Sequence, residues 1–288
     1  MYSIIGRQSL NDIRRRIDIR AEDLVRHTHP GQFIALMPET SSRPRPFVVY
    51  DADQRRRCLS IVFDETDAFT RRLFGMKVND PLHALQGPFG VPCVPEKKGT
   101  YVFAGEATGL ASLIGMARSF RASGSKVIGI AGFSSRRSSL LENQLRLNTH
   151  KCYVMYGDGM AERKGDILIP LKKVLAEEQV ARIYLDASPV MMREVYYLAW
   201  SHKVPVSVSL REVIEARGDF DPRRPVLIRE GRYYPSVDGI FVDGEMVDIH
   251  EIMAQIHGPR EYERCRREEA EHASQRNVFA RFKKFIWG

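Results

Sequence analysis

Between residues 99 and 209 short apolar runs alternate with helix-patterned stretches, and this alternation restricts the possible folds more than any other feature. Strand patterns at 101–104, 126–131, 152–156, 181–185 and 204–209 are separated by helix patterns. One carries Leu113, Met116, Ala117 and Phe120 at helical spacing, and the others lie at 139–147, 170–178 and 190–199. A βαβαβ rhythm of this kind predicts a doubly wound parallel sheet, whose ligands sit beyond the carboxyl ends of the strands. The preceding 95 or so residues read differently. Phe33-Ile34-Ala35-Leu36-Met37 follows a His29-Pro30-Gly31 turn, 45–50 and 58–63 are further strands, and Asp67 caps a short helix. Gly87-Pro88-Phe89-Gly90-Val91-Pro92 closes the segment with turn chemistry, so a small antiparallel β-barrel is expected. The expected divisions are a barrel over 1–98, an α/β nucleotide-binding unit over 99–210, an irregular segment over 211–260 and a basic amphipathic helix over 261–288.

The 288 residues are 43% hydrophobic and 28% charged, an ordinary globular balance that excludes collagen, coiled coil and disorder. No apolar run approaches the ~18 residues of a membrane span, and the first residues lack the apolar core of a secretory signal. A cytoplasmic protein is expected. The net charge of +8 is spread over clusters such as Arg14-Arg15-Arg16, Arg55-Arg56-Arg57 and Arg223-Arg224, read as solvated faces rather than a nucleic-acid surface. Cys58, Cys93, Cys152 and Cys265 have no metal-ligand spacing and are expected as free thiols.

Three stretches are candidates for chemistry. Gly105-Glu106-Ala107-Thr108-Gly109 joins a strand to a helix, where orphan N–H groups suit a pyrophosphate, although Glu106 places negative charge in that cradle. Arg45-Pro46-Phe47-Val48, with Thr70 at a helix start, suits a clamp of charge and helix dipole. Asp186-Ala187-Ser188-Pro189-Val190-Met191-Met192 turns from a strand end into a helix. Each alone also fits an unliganded fold.

In this order and at these separations, the three stretches resemble the ferredoxin–NADP⁺ reductase superfamily. Supporting segments are His29-Pro30-Gly31-Gln32-Phe33, Asp51-Ala52-Asp53, Leu85-Gln86-Gly87-Pro88-Phe89-Gly90, Gly157-Asp158-Gly159, Ser207-Val208-Ser209-Leu210 and Ser236-Val237-Asp238-Gly239. Within that superfamily the chain looks like the small FAD subunits of NADH-dependent ferredoxin:NADP⁺ oxidoreductase and the electron-transfer subunits of dihydroorotate dehydrogenase B. The resemblance implies FAD held by Arg45, Pro46, Phe47, Val48 and Thr70. It implies NAD(P)H bound as substrate by Gly105, Thr108, Gly109, Asp158, Gly159, Met191 and Met192. The implied role is an accessory electron-transfer subunit passing electrons between NAD(P)H, flavin and the larger redox subunits of a complex.

The departures from that pattern are specific. Val48 stands where the family has a hydroxyl, Asp67 where it has glycine, Glu106-Ala107 within a glycine run, and Ser188 before Pro189. Arg136 or Arg137 would have to replace a missing arginine in any 2′-phosphate contact. Residues 216–236, where relatives hold a [2Fe–2S] cluster, contain no cysteine, so no cluster and no other metal is expected. The alternative is a non-catalytic scaffold with a degenerate NAD(P) site. At 278–287 Val278, Phe279, Phe282, Phe285 and Ile286 share a helical face, which suits packing on the chain itself, docking to a partner, or contact with an anionic membrane surface.

Overall fold

The computed structural model describes residues 2–157, 166–229 and 231–258. The first half contains β1 (Tyr2–Ser9), β2 (Arg14–Arg20), α1 (Glu22–Val25), β3 (Phe33–Met37), β4 (Arg45–Asp53) and β5 (Cys58–Asp64). Then come α2 (Ala68–Gly75), β6 (Pro81–Leu82) and β7 (Ala84–Phe89). These strands are antiparallel, in the order β6-β1-β2-β5-β4-β3-β7, and curl into a nearly closed barrel. Period-two alternation explains the curl. Ile17 and Ile19, Ile34 and Leu36, Phe47 and Val49, and Leu59, Ile61 and Phe63 all face one interior core.

β1 and β2 fall in a stretch where the sequence shows no strand pattern, because β1 buries little and β2 is rich in arginine. The reading of Arg14-Arg15-Arg16 as a solvated face is corrected for its first two members, which are buried. Arg14 pairs with Asp64 at 2.9 Å. The guanidinium of Arg15 lies 3.5 Å from the centre of the Phe74 ring and donates to the Phe74 carbonyl. Long arginine stems cover apolar surface while their heads find acceptors.

The second half contains β8 (Thr100–Glu106), α3 (Gly109–Ala122), β9 (Lys126–Phe133), α4 (Glu142–Asn148), β10 (Lys151–Tyr156) and α5 (Leu168–Glu177). It continues through β11 (Val180–Asp186), α6 (Pro189–Ser201), β12 (Val206–Ser209) and α7 (Arg211–Ala216). The sheet order β10-β9-β8-β11-β12, with the later strand Phe241–Asp243 beyond β12, is parallel except at that last strand. It matches the predicted doubly wound arrangement, with the strand order reversing between β8 and β11. After residue 211 the chain is more ordered than its turn chemistry suggests. It forms the hairpin β13 (Val226–Ile228) and β14 (Gly231–Tyr233), then α8 (Pro235–Asp238), β15 (Phe241–Asp243) and α9 (Ile249–His257). β15 pairs antiparallel with β12 and extends the sheet.

The two halves are packed directly together. α3 runs between sheet and barrel, and a Cβ on Gly115 would come within 3.0 Å of the Tyr50 carbonyl oxygen, so only glycine allows this approach to β4. Phe33 and Val48, from barrel strands, belong to the apolar core of the α/β half.

Candidate functional site

A cleft of about 340 Å³ opens between the barrel and the α/β half. Arg45, Pro46, Phe47 and Val48 on β4 line it together with Thr70 on α2, and Thr108 faces them from the start of α3. The structure therefore gathers all five predicted flavin-contacting residues, and one from the predicted nucleotide turn, on one cavity. Sequence alternation fixes their roles: Phe47 is anchored in the barrel core, and Val48 packs with the α/β core.

The rim near Arg45 is built around an anion. Asp67 caps α2: its Oδ1 accepts from the Thr70 N–H at 2.9 Å, and the Thr70 hydroxyl oxygen accepts from the Asp67 N–H at 3.0 Å. The other carboxylate oxygen of Asp67 accepts from Arg45 Nη1. Arg45, nearly buried, also lies over the Phe69 ring at 5.4 Å. Partial burial pushes the Asp67 carboxyl upward, but the Thr70 N–H and Arg45 outweigh it and hold the group below the usual carboxylate range. Arg45 and the α2 N-terminus thus converge on one negative charge, the Asp67 carboxylate. The donor set fits a phosphate-bearing cofactor such as FAD, provided Asp67 yields its place.

The opposite wall is acidic. The guanidinium of Arg211 donates to Asp186 Oδ1 through Nη2 at 3.0 Å and to Glu215 through Nη1 at 2.7 Å. Ser112 donates to the other Asp186 oxygen at 2.7 Å. Asp186 lies so close to α3 that a Cβ on Gly109 would come within 2.5 Å of its Oδ1, so Gly109 here serves packing. Burial works against the charge of Arg211, yet Asp186 and Glu215 raise its pKa well above the ordinary value. Glu212, also lining the cleft, is pushed up to about 7 by burial first, with Asp186, Glu215 and Glu106 adding and Arg211 opposing.

The predicted nucleotide turn lies at the β8–β11 crevice, as the topology requires. Its Glu106 carboxylate accepts from the Ser188 N–H at 3.0 Å and the Ser188 hydroxyl at 2.9 Å, at the start of α6. Ala107 adopts φ 47°, a left-handed conformation that glycine takes more readily. Gly105 faces Leu110 and Leu113 of α3, where a Cβ would crowd both. Met192 is buried in the α/β core and lines a separate groove with Tyr196 and Trp200, while Met191 packs on that core. The structure does not bring either methionine to that cleft. Asp158 and Gly159 lie outside the described residues, as do Cys265 and the amphipathic stretch at 278–287.

Sequence reasoning noted Asp67 and Asp186 without their partners, and it missed Arg211, Glu212 and Glu215. The available signal was spacing: Arg211 and Glu215 are four apart just after a strand end, on one helix face. Burial pushes the Cys58 and Cys93 thiols up to about 11 and about 12, which disfavours their thiolates. Among the described residues no group of His, Cys, Asp or Glu is arranged to hold a metal ion, and no helix is long and apolar enough to cross a membrane. In place of a cysteine-bearing loop, Phe220 packs on Phe89 and Phe33 with ring centres 4.7 and 5.3 Å away.

No family model matches the chain. It superposes on a chain of the NADH-dependent reduced ferredoxin–NADP oxidoreductase, studied for flavin-based electron bifurcation, with a TM-score of 0.78. That match covers 93% of this chain and 97% of the other at 20% identity. The fold is that of the ferredoxin reductases. The ferredoxin–NADP⁺ reductase of Plasmodium falciparum shares it at a TM-score of 0.57 and 14% identity, over 72% of this chain and 95% of the other. In sequence the chain is 23% identical over 271 residues to a Thermotoga maritima homolog of the dihydroorotate dehydrogenase B electron transfer subunit, covering 90% of this chain and 95% of the relative. An uncharacterized Clostridium beijerinckii protein from an adh 3′ region is 25% identical over 263 residues, 88% of each chain. The resemblance and fold class inferred from sequence motifs are borne out by these matches.

Proposed function

We propose that this chain is an electron-transfer flavoprotein subunit that carries FAD in the inter-domain cleft and works with larger redox subunits. The observation that carries the reading is the convergence of Arg45, Pro46, Phe47, Val48 and Thr70 on one cavity, with the anion position of α2 at its rim. The Thermotoga relative's designation as an electron transfer subunit homolog supports it. When bound, FAD supplies hydride acceptance from a nicotinamide and release of single electrons. The chain's own residues do the positioning. Arg45 and the start of α2 would hold the phosphate, and Pro46, Phe47 and Val48 would supply the wall for the ring, with no side-chain hydrogen bond from Val48. Glu212, titrating near neutrality, holds or releases a proton in the opposite wall. Residues 211–258 contain no cysteine, so this segment offers no thiolate to an iron–sulfur cluster.

A second reading, a scaffold subunit with a degenerate NAD(P) site, is favoured at that site by one observation: the Glu106 carboxylate takes the Ser188 N–H and hydroxyl at the start of α6. A visible spectrum of the purified chain, repeated with NADH and then NADPH, separates the readings. Flavin bands near roughly 375 and 450 nm that bleach with a nucleotide support the oxidoreductase. Bands that persist mean a flavin fed by a partner, and a protein still colourless after added FAD supports the scaffold.

A further inference from the structure

We infer that Asp67 is an internal counter-anion that competes with ligand phosphate for Arg45 and the N-terminus of α2, and so sets how tightly the cleft holds a phosphorylated flavin. The inference rests on the flavin reading of the cleft and adds a regulating residue to it. Three observations carry it. Arg45 is nearly buried, and its Nη1 donates to the Asp67 carboxylate. The Thr70 N–H, the donor a phosphate would need at this helix start, already goes to the same carboxylate at 2.9 Å. Arg45 and Thr70 line the cleft, whereas Asp67 stands at its rim with its side chain 41% exposed, free to turn outward once displaced.

A carboxylate brings one negative charge to this position, and a pyrophosphate brings two or more with additional acceptor oxygens. The pyrophosphate therefore wins both donors, but only against the bonds Asp67 already makes. The latch penalises phosphate-bearing ligands and leaves a flavin without phosphate unaffected.

The test compares the full chain with Asp67→Asn, which keeps an acceptor for the helix cap but removes the charge, and with Asp67→Ser as a second neutral cap should the first fail to fold. FAD, riboflavin and inorganic pyrophosphate are titrated onto each protein, the flavins by fluorescence and pyrophosphate by calorimetry. The expected result is roughly three- to tenfold tighter FAD and pyrophosphate binding in the variants, the modest range fitting a partly exposed ion pair, with riboflavin unchanged. Equal shifts for FAD and riboflavin, or unchanged or weaker FAD and pyrophosphate binding, overturn the latch. If neither flavin binds any folded protein, the flavin reading fails, and the pyrophosphate titration still decides the role of Asp67.

Discussion

The two helix starts beside the cleft that the sequence offers to phosphate are the same kind of element, yet differ in charge balance. At α2 one arginine and one carboxylate face each other, so a phosphate that displaces Asp67 takes over an existing partner. At the sheet crevice one arginine, Arg211, is matched against Asp186, Glu212 and Glu215, while Glu106 rests on the neutral Ser188. A phosphate there is added to a surplus of negative charge, at a cost on the order of 1 kcal/mol or more for each near carboxylate. The difference teaches that the two phosphate positions proposed from the sequence are separable in this chain. A fold that keeps one cradle need not keep the other.

The largest expected effect tests whether the acidic wall is held by a single cation. Arg211→Met strands Asp186 and Glu215 and is expected to cost about 3–5 kcal/mol, read from the urea midpoint. A variant as stable as the parent would mean those carboxylates are held otherwise. Next, Arg45→Ala removes the cation from the flavin side and should weaken FAD retention by about ten- to a hundredfold. Flavin content that stays the same in the purified variant would remove Arg45 from the site. Glu106→Gln sharpens the contrast from the other side. It should improve NAD(P)H binding by about fivefold, the equivalent of ~1 kcal/mol, and calorimetry showing no gain would place the obstacle elsewhere.

The smallest effect is a pH dependence. Folded Glu212 titrates at about 7, whereas an unfolded glutamate titrates near ~4.3. Between those values the folded state binds the extra proton, so this group's contribution to stability falls as pH rises through the window. Glu212→Gln should therefore gain on the parent between pH ~4 and ~7, with the difference level above that, amounting to under ~1 kcal/mol once its partial exposure is allowed for. A gain that grows instead toward acid would reverse the assigned direction.

What the sequence revealed and hid follows from the range of each interaction. β3 was readable to its ends because Phe33–Met37 is an unbroken apolar run after a proline–glycine turn. That the α/β strands form a doubly wound parallel sheet followed from their alternation with helices, a local signal. β2 was hidden because its arginines are paid for by distant partners, Asp64 and Phe74, which no local pattern exposes. The site divided in the same way. Arg45 and Thr70 were recognisable by motif, but the bond from Arg45 to Asp67 spans 22 positions and the one from Arg211 to Asp186 spans 25. Glu106 could be suspected of repelling phosphate from its place in the turn. That it reaches Ser188, 82 positions away, needed the folded chain.

Phe33, Val48 and Tyr50 are barrel residues by topology, yet their side chains are buried in clusters dominated by the other half of the molecule. The connection between β7 and β8 therefore separates two patterns of chain tracing without separating two units of cohesion. Cutting the polypeptide there would leave each fragment with a raw apolar face. Heat should melt both halves in one calorimetric transition, and the cleft exists as long as that joint does.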